Sequence, residues 1–225
     1  MTKKQTDPSP RTRLSPAVVV DEALRLLDEA GLEAVTTRAV ADRLGVRMNT
    51  VLWHVKTKTR LLELMADAVA GTITYEALPE DPGERARELT RRYRRSLLAH
   101  RDGAALVAGT YAPDPHTLRF ADTLVAALAC HDDTRDTAAW TLYALVYFTL
   151  GLTQEEQAAD TADEHRLRAA VASGPYPALA ASLDTLTSHH FDARFEDGVN
   201  RILGGGTPAG RAGSARGPSA PPLRP

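Results

Sequence analysis

Residues 36–58 read TTRAVADRLGVRMNTVLWHVKTK. The stretch sets Arg38, Arg43, Arg47, Lys56 and Lys58 against a single acid, Asp42, in a chain whose formal net charge is −2. Thr36-Thr37 offers a hydroxyl cap to a short helix whose apolar stripe is Val40, Ala41 and Leu44. Gly45 supplies a residue free to adopt the left-handed conformation that ends it. Three residues, Gly45-Val46-Arg47, lead to a second short helix near Met48 to His54, and another begins around Lys58. In front of the pair, Ser15-Pro16 places a hydroxyl cap before a proline at the first helical position, where the missing N–H costs nothing. That helix carries Val19, Ala23, Leu24, Leu26 and Leu27 on its inner side and stops at Gly31.

Two short helices joined by a tight glycine-containing turn, with a third in front, describe a helix-turn-helix unit. In such a unit the second helix of the pair enters the major groove, its first residues reach base edges, and the preceding helix crosses the backbone. The residue types suit this work. Arg38 can pair with guanine or grip a phosphate, Asn49 can pair with adenine, and Met48 or Val51 can meet a thymine methyl. Thr37, Thr50, His54 and Lys58 are donors for phosphate oxygens. Trp53 is expected to be a flat anchor that packs the helix, with its N–H left for the sugar-phosphate chain. Since the chain as a whole is acidic, the positive field is confined to the face that meets a polyanion. Charge alone would fit a solvated face on a small bundle. Turn chemistry, helix lengths and the Trp-His placement shift the reading to double-stranded DNA.

The rest of the 225 residues, 43% apolar and 25% charged, reads as helix throughout, with no alternating strand pattern. Segments are expected at 83–100, 104–110, 115–130, 134–158, 163–173 and 177–203, separated by Pro113, Pro115, Gly174 and Pro175. AAWTLYALVYFTLGL, 138–152, is apolar all round and is expected to be the most buried helix. The fold class is therefore all-α, with a helix-turn-helix domain at 14–60 and a larger helical core at 61–203. A basic arm at 1–13 and a Gly/Pro-rich tail at 204–225 are expected to be disordered. No apolar run approaches the length of a bilayer span, and the start lacks the apolar region of a secretory signal, so no membrane partner is expected. The lone Cys130 excludes an internal disulfide and a cysteine-rich zinc site, and a cytoplasmic setting follows as the expectation. The acid runs Asp132-Asp133, Glu155-Glu156 and Asp160 to Glu164 fall where helix ends or turns belong. Gly204-Gly205-Gly206 is not followed by the Lys-Ser/Thr of a phosphate loop. No catalytic residue, metal or cofactor is expected, and the chain is read as not an enzyme.

GLEAVTTRAVADRLGVRMNTVLWHVKTKTRLLELM, 31–65, resembles the N-terminal DNA-binding domain of the tetracycline-repressor (TetR) family. HRDGAALVAGT (100–110) and YFTLGLTQEEQ (147–157) resemble the ligand-binding core of that family's tetracycline-binding branch, and FEDGVNRIL (195–203) resembles its last, dimerising helix. The resemblance implies operator contacts from Thr37, Arg38, Met48, Asn49, Thr50, Leu52, Trp53 and His54, and a phosphate contact from Lys58. Met48-Asn49 replaces the branch's Gln-Pro pair and Leu52 its tyrosine, which implies the same docking on a different operator. It implies a homodimer built from segments 134–158 and 177–203, reading a palindrome through two recognition helices about 34–36 Å apart.

The branch holds its drug as a magnesium chelate through a histidine, whose position is taken here by Val107. Other polar drug contacts fall on Leu89 and Thr74, and an acid survives at Glu155. One carboxylate beside a valine is a poor start for a hard divalent ion. A more apolar pocket is therefore expected, with Val107, Thr110, Tyr111, Thr123, Tyr143, Tyr147, Gln154 and Glu155 as candidate contacts to a small organic effector. The implied function is a repressor released from its operator by that effector. The alternative is a ligand-independent or activating DNA-binding regulator.

Overall fold

A computed structural model describes residues 14–110, 113–131, 135–159, 161–188 and 190–204. The expected arm (1–13), the tail from 205 onward, Tyr111, Asp132, Asp133 and Asp160 lie outside the described residues. Among the described residues every regular element is helical.

Helix α1 (Pro16–Ala30) begins where Ser15 Oγ accepts from Val18 N, 3.3 Å, and ends at Gly31, φ 84°. A single 3-10 turn, Leu32–Ala34, leads to α2 (Thr37–Leu44), which Thr36 caps through a 3.0 Å bond from Ala39 N. Gly45 closes α2 at φ 65°, ψ 30°, the conformation expected of it. Helix α3 (Met48–Val55) follows, then α4 (Lys58–Gly71), capped by Thr57. The three-helix head is sealed by Val19, Ala23, Leu27, Val40, Val51, Val55, Leu61 and Met65, none of them exposed. Removing the Val, Leu and Met side chains of this set from water contributes about 1.5–3 kcal/mol each, which is what holds such short helices in place.

The core comprises α5 (Pro82–Leu98), α6 (Gly103–Ala108), α7 (Pro115–His131), α8 (Arg135–Ala158) and α12 (Phe191–Gly204), with α9 (Thr161–Ser173), α10 (Pro177–Ala181) and α11 (Leu183–Leu186) at its edge. α5 packs on α7 and α8, α8 packs on α12, and α4 packs on α1 and α3 as well as on α6 and α7. A head–core boundary drawn at residue 60/61 therefore falls inside α4. Carboxylates dock the head: Asp102 accepts from Leu32 N at 2.9 Å, and Asp28 from Arg101 N at 3.1 Å.

Two expectations are corrected. Segment 177–203 is not one helix but three pieces, α10, α11 and α12. Side chains from neighbouring elements satisfy the broken ladder. Arg194 donates to the carbonyls of Leu186 and Ser188, at 2.8 and 2.9 Å, and Arg168 from α9 reaches Asp184 and Thr187. Nor is α8 the most buried helix. Ala138, Leu145, Thr149 and Thr153 are buried, yet Trp140 is 71% and Tyr147 65% exposed. One flank packs in the core, a second lines a cavity, and a third, with Trp140, Ala144 and Gly151, faces outward.

Candidate nucleic-acid interface and effector pocket

The first turn of α3 projects into solvent. Met48, Asn49 and Thr50 are exposed, as are Arg38 on α2 and Lys58 at the start of α4; Thr37, Leu52 and His54 are half-buried. Among the described residues Arg38, Arg47 and Lys58 form no ion pair. Arg43 differs from the other cations of the block. Its guanidinium is held by Glu22 and Glu29 from α1 and is raised further above its usual range by those bonds. In return Arg43 holds both carboxyls below their ordinary values. Arg43 therefore braces α2 against α1, and the outward charge comes from Arg38, Arg47, Lys56 and Lys58.

Trp53 is not the packing anchor expected of it. The ring is 71% exposed and meets His54 edge-on, centroids 4.8 Å apart at 89°. Val51 and Val55, neighbours on successive turns with no exposed surface, pack the helix instead. The Lys56 ammonium lies 5.6 Å from the Trp53 ring centre and donates to the Trp53 carbonyl, 2.8 Å. Lys56 is held at φ 66°, ψ −55°, with Thr57 N bonded back to Val55 O at 2.8 Å. This is a strained γ-turn for a residue with a Cβ. The result is a large aromatic left in water with a cation beside it at a strained turn.

A cavity of about 460 Å³ lies in the core. Its walls are Glu63, Ala66 and Ala70 of α4, Val107 and Ala108 of α6, Thr117, Leu118, Phe120 and Ala121 of α7, and Leu142, Tyr143, Val146, Tyr147 and Leu150 of α8, with Tyr93, Thr110 and Pro113. Tyr93 stacks on Phe120 with centroids 4.6 Å apart, and Tyr143 on Tyr147 at 5.5 Å. Burial pushes the Tyr93 phenol above its ordinary value, so it stays protonated. The cavity can accept a largely apolar, ring-bearing molecule oriented by a few hydroxyls and one carboxylate.

Of the candidate effector contacts, Val107, Thr110, Tyr143 and Tyr147 line this cavity. Thr123 does not; its hydroxyl donates to the Arg119 carbonyl one turn back, 2.7 Å. Gln154 and Glu155 lie beyond the cavity on the last turns of α8. Glu155 borders a separate groove beside α11 and α12 and pairs with Arg194 at 3.2 Å. Tyr111 is outside the described residues. Leu89 is fully buried in the core, and Thr74 accepts from Arg92. Glu63, Tyr93 and Phe120 were not among the candidates. The spacing of Leu142, Val146 and Leu150 by four residues was the available signal for the α8 wall. Nothing in the sequence pointed to Glu63. Among the described residues, no three His, Cys, Asp or Glu side chains come together as a metal site would require.

A helix-turn-helix head with an outward, cationic reading face, joined through one helix to a hollow helical core, defines a DNA-binding regulator that holds a small molecule. Comparison with known proteins agrees. The family described as "Bacterial regulatory proteins, tetR family" matches residues 19–65, and "Tetracyclin repressor-like, C-terminal domain" matches 77–206. The chain is 34% identical over 198 residues to the Escherichia coli tetracycline repressor protein class A from transposon 1721, covering 86% of this chain and 91% of that protein. A crystal structure of a possible TetR family transcriptional regulator from Streptomyces coelicolor A3(2) is 40% identical, with TM-score 0.76, covering 85% of this chain and 98% of the other. The Streptomyces coelicolor TetR family protein ActR, solved in complex with (S)-DNPA, is 27% identical with TM-score 0.79, covering 86% and 97%. BioQ, solved with its double-stranded DNA operator, is 28% identical with TM-score 0.60, covering 65% and 89%. The chain belongs to the TetR family of transcriptional regulators.

Proposed function

We propose that the chain is a homodimeric repressor that occupies a palindromic operator in the cytoplasm and leaves it when a mostly apolar organic effector fills the core cavity. One observation carries the reading: α4 starts beside the reading face at Lys58 and forms a wall of the cavity with Glu63, Ala66 and Ala70. A single rigid element thus touches both sites. Thr37, Arg38, Met48, Asn49, Thr50, Leu52, Trp53, His54 and Lys58 are the operator contacts in this reading, with residues 14–60 as the reading head and 61–203 as the sensing and pairing core. The outward apolar flank of α8, together with α12, is the pairing face; two such copies related by a twofold axis set the two α3 helices one DNA turn apart. No reaction is assigned to the chain. ActR with (S)-DNPA bound supports an organic effector, and the cavity lining supports one with rings and little charge. It does not favour magnesium–tetracycline, because no histidine stands at Val107.

The test is selection of a duplex from a random pool, followed by gel-shift titration with compounds that raise the melting temperature of the protein. Binding a ligand at 100 times its Kd stabilises by about 2.7 kcal/mol, which such a screen resolves. The expected result is a palindromic duplex released by at least one such compound. A chain that selects no duplex at low ionic strength overturns the reading.

A further inference from the structure

Asp114 stands immediately before α7, and its carbonyl accepts the first helical bond, from Leu118 N at 2.9 Å. A carboxylate at that position ordinarily turns back to cap its own helix. Here it turns away, to Arg60 in the first turn of α4, with two bonds of 2.6 and 2.7 Å. The cap of α7 comes from α4 instead. Asp67, 7% exposed, accepts from His116 N at 3.0 Å, Thr117 N at 2.8 Å and Thr117 Oγ1 at 3.0 Å. Gly71 lets the two helices close, since a Cβ there would stand 3.1 Å from the His116 ring.

Both ties share a residue with the cavity wall. Thr117 bonds Asp67 and lines the cavity; Glu63 bonds Arg60 at 3.0 Å and lines it too. Ala66 and Ala70 of α4 and Leu118 of α7 line the same cavity, so its walls include both helices that the joint ties together.

Building on the effector-released reading above, we propose that Asp67 and Arg60 are positioning residues that transmit cavity occupancy to the reading head. Apolar helix faces can slip past one another, whereas charge-assisted bonds fix register and direction. With α7 capped from α4, a displacement of the start of α7 carries α4 with it, and Lys58 and α3 follow. A joint of this kind converts a small spreading of the cavity into a change in the spacing of the DNA-reading elements, because both sites bias the same element.

The test needs no identified effector. Val146→Trp places an indole into the cavity from the α8 wall and stands in for an occupant. Affinity for the duplex selected from the random pool is measured for four proteins: parent, Val146→Trp, Asp67→Ala, and the double variant. Alanine is used because an asparagine Oδ1 could still accept the three bonds. Circular dichroism confirms the fold of each. Val146→Trp is expected to weaken duplex binding about tenfold in the parent, within the usual range of coupling between sites. In the Asp67→Ala background the same substitution is expected to change it less than about twofold. A purely structural Asp67 would lower the melting temperature and leave the Val146→Trp ratio equal in both backgrounds; that result overturns the proposal. So does a Val146→Trp with no effect in either background. Arg60→Gln, at a more exposed site, replaces Asp67→Ala if the latter does not fold. A parent chain that selects no duplex at all is a different result, and it overturns the repressor reading together with the joint.

Discussion

Replacing Trp53 with alanine separates two accounts of the same residue. A tryptophan that packs its helix against a core costs about 3–5 kcal/mol when cut to alanine. In this structure the residue is 71% exposed, so less than a third of it is hidden. That corresponds to about 70 Å² of the up to ~250 Å² a tryptophan can bury, or ~2 kcal/mol at about 25 cal/mol per Å². The figure is an upper bound, since unfolded chains already hide part of their apolar surface. The higher helix propensity of alanine offsets roughly 0.5 kcal/mol more, against loss of an exposed contact with Lys56 worth about 0.5–1 kcal/mol. The expected net loss of folding stability is about 1–2 kcal/mol. Binding to the selected duplex, which in the proposed reading meets the ring from outside, should fall by an order of magnitude or more, because the proposed dimer loses two copies of a contact worth about 1–3 kcal/mol. Urea denaturation at fixed protein concentration gives the first number, and fluorescence anisotropy with a labelled duplex at two salt concentrations gives the second. A loss of 4 kcal/mol in folding with duplex affinity unchanged would refute the reasoning, since it would make Trp53 an anchor after all.

Three further outcomes are expected. Arg60 holds the Asp114 carboxyl below its ordinary value of 3.8, so the pair stabilises the fold above that pH and loses its contribution as pH falls through the lowered value. The gap in urea midpoint between the parent and Asp114→Asn should therefore be largest near neutrality and close as the pH drops below about 4. A Cβ on Gly103 would stand 2.2 Å from the Leu97 carbonyl oxygen, a backbone atom that also serves as acceptor for Gln157. Gly103→Ala should lower stability by about 3 kcal/mol or more in a thermal or urea melt, and a loss under 1 kcal/mol would count against that packing. Gly151 meets no atom within 4 Å of its Cβ position in the chain itself. Gly151→Arg should keep full helicity by circular dichroism yet shift the proposed dimer to monomer in analytical ultracentrifugation; a dimer that persists would move the proposed pairing face elsewhere.

The parts of this fold that could be read from the sequence are those settled within a few residues of one another. Ser15, Thr36 and Thr57 each cap a helix through a backbone N–H three residues on, and Gly45 ends α2 by its own backbone conformation. The bounds of α1 to α3 are therefore legible to within a residue or so. What could not be read depends on partners far along the chain. Arg43 looks like one more cation of the reading face until Glu22 and Glu29, 21 and 14 residues earlier, are brought beside it. Thr123 and Tyr143 are equally plausible pocket residues in one dimension, and only the turn of α7 that sends the Thr123 hydroxyl to its own backbone tells them apart.

Helix α8 shows the general reason. Its apolar residues encircle the axis, and such a pattern states that every side is to be covered without stating what covers it. The structure divides the circle three ways. Leu145, Thr149 and Thr153 meet the core, Leu142, Val146 and Leu150 face the cavity, and Trp140, Ala144 and Gly151 face outward. Tyr143 and Tyr147, stacked on each other, stand at the seam between the second and third of these. If the outward flank is closed by a second copy, the seam tyrosines are held from both sides, and ligand occupancy and pairing become coupled through the same two rings. Gly151→Arg then has a second expected consequence: it should weaken effector binding as well as the dimer, although residue 151 does not line the cavity.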